Sequence, residues 1–193
     1  MLKPPHPIAA LAYSITMGLN PNNHALDGGP PSSKMEKECV QALAHLFGYN
    51  DKYLGHLSSS GTIANLEALW IARCLHPSKG IAYSTEAHYT HGRMAQVLGM
   101  EAHTFQLEGE RLIAKCLEAL PVDSIGTLIV TMGTTGLGKV EPLSEILDWA
   151  KPRGIRIHID AAYGGFFKTI SDYLPGINVH WDRMQEANSI VID

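Results

Sequence analysis

The sequence has little charge and no long apolar run. Charged residues make up 18% of the 193 residues, and the formal net charge is -4. This balance excludes the strongly basic footprint of a nucleic-acid-binding protein or a polybasic membrane-binding segment. The longest apolar run is far too short to span a bilayer, and the first residues lack the apolar core of a signal peptide. We therefore expect a cytoplasmic protein with no nucleic-acid or membrane partner and a small acidic or zwitterionic ligand.

Cysteine is also scarce. The three cysteines are Cys39, Cys74 and Cys116, each within a stretch of helical pattern. Their odd number and wide spacing argue against a disulfide framework or a zinc site, so we expect buried, reduced thiols and no metal. The sequence also lacks the Walker loop and the GxGxxG fingerprint, which excludes two common signatures of nucleotide binding.

Strand-like apolar segments alternate with helical patterns along most of the chain. The predicted strands are 53–57, 81–84, 102–105, 127–131, 156–159 and 189–192. The predicted helices are 62–75, 90–98, 110–120, 143–151 and a short one at 181–187. Such alternation favours parallel strands joined by right-handed crossovers. We therefore predict an α/β fold with three layers, helix-sheet-helix, and a mainly parallel sheet.

The start of the chain differs from this pattern. An apolar stretch at 8–17 is followed by a loop at 20–31 that is rich in proline, asparagine and glycine. We predict that residues 1–31 form an irregular arm and a pocket loop, and that 32–193 form the main domain. A cap at Ser32 or Ser33, with Glu36 in the first turn, predicts a helix that ends at Gly48.

The segment 156–165 is the centre of the functional prediction. An apolar strand runs into Asp160, which is followed by two alanines, an aromatic residue and two glycines. Ligands of open α/β sheets bind at the carboxyl ends of the strands. A carboxylate buried there needs a partner, since an unpaired buried charge is costly. The alternative is that Asp160 caps the turn that follows the strand.

Three other strand ends carry polar residues. Ser58 to Thr62 precede a helix, so free backbone N–H groups and hydroxyls can bind phosphate there, or Ser and Thr can simply cap the helix. His88 can face a bound ring, although a lone histidine is usually structural. His91 lies on the next helix and is interpreted as a surface or packing side chain. Residues 131–138 form a loop rich in glycine and hydroxyls that is suited to wrapping a ligand.

Four segments together resemble the group II pyridoxal-phosphate-dependent amino-acid decarboxylases in order and spacing. These segments are Ser-Ser-Gly-Thr-Ile-Ala-Asn at 59–65, the stretch around His88, Gly-Thr-Thr at 133–135 and His-Ile-Asp-Ala-Ala-Tyr-Gly-Gly at 158–165. The family includes the glutamate, aromatic amino-acid and tyrosine/aspartate decarboxylases. The resemblance runs from about Asn20 to Asp193 and implies the large domain of the aspartate-aminotransferase fold. It also implies pyridoxal 5'-phosphate as cofactor and decarboxylation of an L-amino acid, a lyase reaction.

The resemblance assigns roles to individual residues. Ser60, Gly61 and Thr62 are expected to hold the cofactor phosphate, His88 to stack on the ring, and Asp160 to pair with the protonated ring nitrogen. His88 and Asp160 are thus the catalytic candidates. The other cofactor-binding candidates are Ala162 beneath the ring, Thr134 near the cofactor and Ser189 at the phosphate.

The family's Schiff-base lysine follows the last strand in a Pro-His-Lys segment, and residues 189–193 are similar to those just before it. We therefore expect a piece of a decarboxylase subunit that lacks this lysine and the small C-terminal domain, and that is inactive alone. Lys168 is the nearest lysine downstream of the glycine pair. The family is dimeric, so a homodimer is expected.

Substrate identity cannot be read from the sequence. Asn20, Asn23 and His24 are candidates for the substrate-pocket wall, and ordinary loop hydrogen bonding is the alternative. Two other functions stay open. One is another pyridoxal-phosphate lyase or an aminotransferase of the same fold, and the other is a non-catalytic fragment that binds the cofactor or a partner.

Overall fold

The computed structural model describes residues 4–107 and 113–193. The chain divides into two compact units. Unit 1 comprises Met1–Ala44 and Tyr53–Leu57, and unit 2 comprises His45–Lys52 and Ser58–Asp193. The predicted boundary between residues 31 and 32 stays a prediction.

Unit 1 contains helix α1 (Pro7–Leu19) and most of helix α2 (Pro30–Leu46). The prediction of an irregular arm is therefore wrong over α1. Proline does not prevent this helix, because Pro7 is in its first turn, where an N–H has no intrahelical partner. Helix α2 begins at Pro30 rather than after Ser32 or Ser33. Proline is compatible with the first turn of this helix as well.

The predicted strand at 53–57 is also wrong, since these residues are irregular. The backbone N–H of Leu57 donates to the carboxylate of Glu36 at 2.9 Å. The acceptor of this N–H is therefore a side chain and not the backbone of a neighbouring strand. This bond and a second one from Asn23 hold the pKa of Glu36 below its usual value, against a small opposing effect of burial.

Unit 2 contains a five-stranded sheet in the order β2-β1-β3-β4-β5. All neighbouring strands are parallel. The strands are β1 (Gly80–Ser84), β2 (Ala102–Phe105), β3 (Ile125–Thr131), β4 (Arg156–Asp160) and β5 (Ser189–Val191). Strand β3 is buried along its whole length, as expected for the centre of a parallel sheet covered on both faces.

Five helices of unit 2 cover this sheet: α3 (Gly61–Leu75), α4 (Thr90–Leu98), α5 (Ile113–Glu118), α6 (Leu143–Ala150) and α7 (Asn178–Asp182). Helix α3 packs against α4, β3, β4 and β5, whereas α6 packs against α5, α7 and β4. Because the strand order reverses between β1 and β3, the right-handed rule for parallel crossovers assigns α4 to one face of the sheet and α5 to α7 to the other, in agreement with the contacts of α4 with α3 and of α6 with α5 and α7. The prediction of a three-layer α/β fold is confirmed.

Two details of the helices differ from the prediction. Residues 110–112 of the predicted helix at 110–120 lie outside the described residues. The predicted helix at 181–187 corresponds to the end of α7 and a separate 3-10 helix, Met184–Glu186. Within the described part of the chain, none of the helices is long and apolar enough to cross a membrane.

The core lies beneath the carboxyl ends of the central strands. Leu69 on α3 and Met94 on α4 pack with Ile81 and Ile129 of β1 and β3. The cysteines are not part of this core. Contrary to the prediction of buried thiols, Cys39 and Cys74 are exposed and Cys116 is half-buried, although all three are free. The buried positions of α3 recur every three or four residues from Gly61 to Ala72, and Cys74 falls outside that stripe.

Candidate active site

The carboxyl ends of β1, β3 and β4 meet the start of α3 around a cavity of about 210 Å³. The strand order reverses between β1 and β3, and such a switch point is where open α/β sheets bind ligands. Twelve residues line the cavity: Gly61, Thr62, Asn65, His88, Thr90, Thr131, Gly133, Thr135, Asp160, Ala162, Tyr163 and Asp193. Five of the residues predicted from the sequence are therefore brought together, namely Gly61, Thr62, His88, Asp160 and Ala162.

Asp160 is the last residue of β4 and is only 6% exposed. Its Oδ2 lies 2.9 Å from Nε2 of His91, and its Oδ1 accepts the backbone N–H of Ala162 at 3.2 Å. The second contact means that Asp160 also caps its own turn, as the alternative interpretation held. The first contact was not expected, because the sequence indicated only a surface or packing role for His91, and the structure shows a fully buried ring that contacts Asp160.

The environment of Asp160 keeps its carboxylate charged. Burial acts to raise the pKa of Asp160, but the hydrogen bond and charge attraction of His91, together with the hydrogen bond from the Ala162 amide, outweigh it, so this pKa lies below its usual value. The site therefore contains a buried carboxylate that stays ionised at neutral pH.

His158 lies two residues before Asp160 on β4, so both side chains share one face of the sheet. Its Nδ1 is 2.9 Å from Oγ of Ser189, and its Nε2 is 2.8 Å from Oδ1 of Asn65. Burial lowers the pKa of His158 to about 3, which leaves the imidazole neutral. His158 thus links β4 to β5 and α3. Ser189 takes part in this link and does not line the cavity, so its role at a phosphate stays a prediction.

The start of α3 offers donors to an anion. Ser60 is the N-cap, and its Oγ accepts the N–H of Ile63 at 3.3 Å. The N–H of Gly61 donates to Oδ2 of Asp193 at 3.1 Å. A carboxylate therefore already occupies this helix N-terminus, where negative charge is favourable. Ser60 itself does not line the cavity, whereas Thr62 does.

His88 lies in the turn between β1 and α4 and is half-buried. Its Nδ1 is 2.8 Å from Oγ1 of Thr90, and the ring of Tyr89 packs on it with centroids 4.3 Å apart. These two contacts fix the ring at the edge of the cavity. The predicted Thr134 is buried and its Oγ1 accepts the N–H of Lys139, whereas its neighbour Thr135 lines the cavity. The role of Thr134 near the cofactor stays a prediction.

Two glycines allow the loops after β3 and β4 to touch. Gly133 has φ +100°, a conformation that residues with a side chain rarely adopt. A Cβ on Gly164 would lie 1.8 Å from the carbonyl oxygen of Met132. The first glycine of the pair at 164–165 is therefore required by the close approach of two backbones, and this contact closes one side of the cavity.

Glu141 is a buried acid that the sequence did not reveal. It is 2% exposed, and its carboxylate accepts the N–H of Thr131 at 2.8 Å and the hydroxyl of Ser84. Burial raises the pKa of Glu141 to about 7, more than these two hydrogen bonds lower it. Glu141 thus joins the ends of β1 and β3 behind the cavity.

Sequence reasoning also missed other residues of the site. Asn65 follows Gly61 by one helical turn, so this spacing was a usable signal that both face the cavity. The remaining cavity residues that were not predicted are Thr90, Thr131, Gly133, Thr135, Tyr163 and Asp193. Among these, Thr131, Gly133 and Thr135 fall within the segment 131–138 that was expected to wrap a ligand.

Lys168 and the predicted substrate-wall residues lie elsewhere. Lys168 forms an ion pair with Asp182 at 2.7 Å and does not line the cavity. Asn20, Asn23 and His24 belong to unit 1. Asn20 ends α1 in a left-handed conformation, Asn23 donates to Glu36 at 2.9 Å, and the His24 N–H donates to the side chain of Asn22. Their role in binding a substrate stays a prediction.

Comparison with known proteins gives consistent matches along the chain. The L-aspartate decarboxylase of Thermococcus kodakarensis is 31% identical over 196 residues, covering 98% of this chain and 50% of that protein. A probable L-tyrosine/L-aspartate decarboxylase of Methanothrix thermoacetophila is also 31% identical, over 98% of this chain and 49% of that protein. The chain thus spans about half the length of these curated relatives.

Solved structures support the same fold. The crystal structure of mouse CSAD matches with a TM-score of 0.84 and 25% identity, over 100% of this chain and 44% of that chain. The glutamate decarboxylase domain of a Vibrio parahaemolyticus protein matches with a TM-score of 0.82 and 22% identity, over 98% of this chain and 46% of that chain. At this identity the second match bears on the fold alone.

The family model for the pyridoxal-dependent decarboxylase conserved domain matches residues 7–192. Its description names a pyridoxal cofactor, which confirms the predicted cofactor, pyridoxal 5'-phosphate, and it names decarboxylases, the family that the sequence motifs indicated. The resemblance found in the sequence is therefore confirmed, and the chain belongs to the pyridoxal-dependent decarboxylase family.

Proposed function

We propose that this protein binds pyridoxal 5'-phosphate in the cavity at the ends of β1, β3 and β4 and decarboxylates an L-amino acid. One observation carries the proposal. Asp160 is buried and ionised, and it lines the same cavity as His88 and the start of α3. The cavity is thus lined by an anion that can bind the ring nitrogen, by an imidazole that can stack on the ring, and by hydrogen-bond donors for the phosphate.

The donor set fits the phosphate group of the cofactor. The hydroxyl of Ser60 accepts from Ile63 and keeps its own hydrogen for donation, and Thr62 provides a second hydroxyl. The N–H of Gly61 is bound to Asp193, a carboxylate that stands in for an anion at the helix N-terminus. Binding of phosphate to this N–H requires Asp193 to move away.

The ring is held by side chains from two other strand ends. His88 stacks on the ring, and Ala162 leaves room beneath it because its side chain is a single methyl group. Asp160 accepts a hydrogen bond from the ring nitrogen and keeps that nitrogen protonated, since a buried anion favours a positive partner. The bound cofactor supplies a ring that accepts the electron pair released when the substrate carboxylate leaves as CO2.

Further parts of the proposal rest on the family. We propose that the active protein is a cytoplasmic homodimer and that Asn20, Asn23 and His24 contribute to the substrate pocket. No lysine is among the described residues that line the cavity. The residues that do line it are proposed to supply binding and electrostatics. Relatives named as aspartate or tyrosine/aspartate decarboxylases make these two amino acids the first substrates to test.

The test is CO2 release from carboxyl-labelled L-amino acids by the protein expressed from its own gene, with added pyridoxal 5'-phosphate. We expect release from one amino acid in a panel that starts with aspartate, tyrosine and glutamate. Asp160→Asn is expected to abolish most of it, whereas Asp172→Asn, at an exposed position, should leave it unchanged. A keto-acid or aldehyde product without CO2 would indicate an aminotransferase or another lyase. Cofactor binding without any product would indicate a non-catalytic protein.

A further inference from the structure

His91 has an unusual position for a side chain that the family motifs do not involve. It is in the first turn of α4, its side chain is fully buried, and its Nε2 lies 2.9 Å from Oδ2 of Asp160. The two partners are 69 residues apart, so the contact exists only because α4 packs beside the end of β4. His91 is thus the side chain that holds the second oxygen of the proposed cofactor-binding carboxylate.

The two ring nitrogens of His91 differ in their contacts. Nδ1 of His91 is buried and has no hydrogen-bond partner among the described residues. Nε2 contacts the Asp160 carboxylate, and an ionised carboxylate can only accept, so Nε2 carries a hydrogen and donates it to Asp160. His158 does not compete for this place, since both of its ring nitrogens contact Ser189 and Asn65.

The hydrogen bond from Nε2 of His91 affects the geometry of Asp160. It restricts the rotation of the carboxylate, whose Oδ2 is held by His91. Each oxygen of Asp160 accepts one hydrogen bond, from His91 or from Ala162, and keeps a second lone pair. Asp160 also lines the cavity, so a ligand can reach its carboxylate.

We propose that His91 is a positioning residue whose Nε2–H donates to the Asp160 carboxylate and orients it toward the cofactor ring nitrogen. This inference rests on the proposed function, because it assumes that Asp160 contacts that nitrogen. It adds a residue outside the predicted site and gives it a role that a packing histidine does not have.

Two substitutions of nearly equal size separate positioning from packing. The side-chain amide nitrogen of His91→Gln reaches the position of Nε2 and provides an N–H donor there. The side chain of His91→Asn is one methylene shorter and does not reach Asp160. Dissociation constants are measured for pyridoxal 5'-phosphate and for its deaza analogue, in which a C–H group replaces the ring nitrogen. The ratio of the two constants reports only on interactions that involve the ring nitrogen.

The wild-type chain and His91→Gln are expected to prefer pyridoxal 5'-phosphate over the deaza analogue to a similar degree. His91→Asn is expected to lose at least about tenfold of this preference, since a hydrogen bond to a charged group is involved. A wild-type preference that persists in His91→Asn would overturn the inference and leave the proposed function standing. A wild-type chain that binds both ligands equally would overturn both.

A second measurement needs no variant. The ¹⁵N NMR shifts of the His91 ring in the cofactor-free protein show which ring nitrogen carries hydrogen. We expect hydrogen on Nε2, which faces Asp160. A ring with hydrogen on Nδ1 alone would contradict the inference even if His91→Asn does not fold.

Discussion

Glu141 allows a quantitative test of how burial beside the cavity changes the pKa of an acid and the stability of the fold. Burial raises its pKa from 4.5 to about 7, a difference of about 2.5 that corresponds to about 3 kcal/mol. The folded protein binds this proton more tightly than the unfolded chain does. The stabilisation is therefore fully present below pH 4.5, and it is lost as the pH rises through about 7. Glu141→Gln replaces the acid by a neutral group of the same shape, which can still accept from Thr131 and contact Ser84.

We expect the free energy of unfolding of Glu141→Gln, relative to wild type, to increase by about 2.5 kcal/mol between pH 5 and pH 8.5. Urea unfolding at a series of pH values measures this difference. Asp160 raises the pKa of Glu141 further, but the pKa of Asp160 itself lies below the range from pH 5 to pH 8.5. His158 is neutral in the folded state throughout that range. Their contributions are common to both proteins and cancel in the difference.

Glu118→Gln is the control, because Glu118 is exposed on α5. Its difference from wild type should be flat across the same pH range. A flat curve for Glu141→Gln as well would refute the reasoning, since it would mean that Glu141 is not buried as a high-pKa acid.

Two further substitutions test the backbone of the site. Gly164→Ala should destabilise the fold by about 3 kcal/mol or more in urea unfolding, because its Cβ would collide with the Met132 carbonyl oxygen. Gly136→Ala meets nothing within 4 Å and should cost far less; equal effects would contradict the close approach. Ser60→Ala should cost about 1 kcal/mol through loss of the cap to Ile63, and Ser60→Gly only a few tenths. A loss as large for glycine as for alanine would argue against a capping role.

The strand ends could be predicted because their signals are local. Apolar segments interrupted by polar and glycine residues mark each strand end, and parallel strands bring their carboxyl ends to one edge. Asp160 and His88 were found in this way, and the cavity contains both. The helix α1 was missed because residues 8–17 were interpreted as a short apolar stretch of an irregular arm, whereas Pro7 is compatible with the first turn of a helix.

His91 and Glu141 could not be predicted, because their chemistry depends on distant partners. His91 is three residues after His88, and nothing in that spacing shows that its ring turns inward to Asp160. Glu141 is 57 residues from Ser84, and it bonds that hydroxyl only after β1 and β3 have paired. Local periodicity predicts which segments become strands and helices, whereas such polar contacts are decided by the packing of whole elements.

The most direct test of the account is a crystal structure of the protein with pyridoxal 5'-phosphate, in which the distance from the ring nitrogen to the Asp160 carboxylate is measured. We predict a hydrogen bond of about 2.7–2.9 Å, with the phosphate at the start of α3 and the ring against His88. A phosphate bound beside Asp160, or a ring bound outside the cavity, would contradict the account.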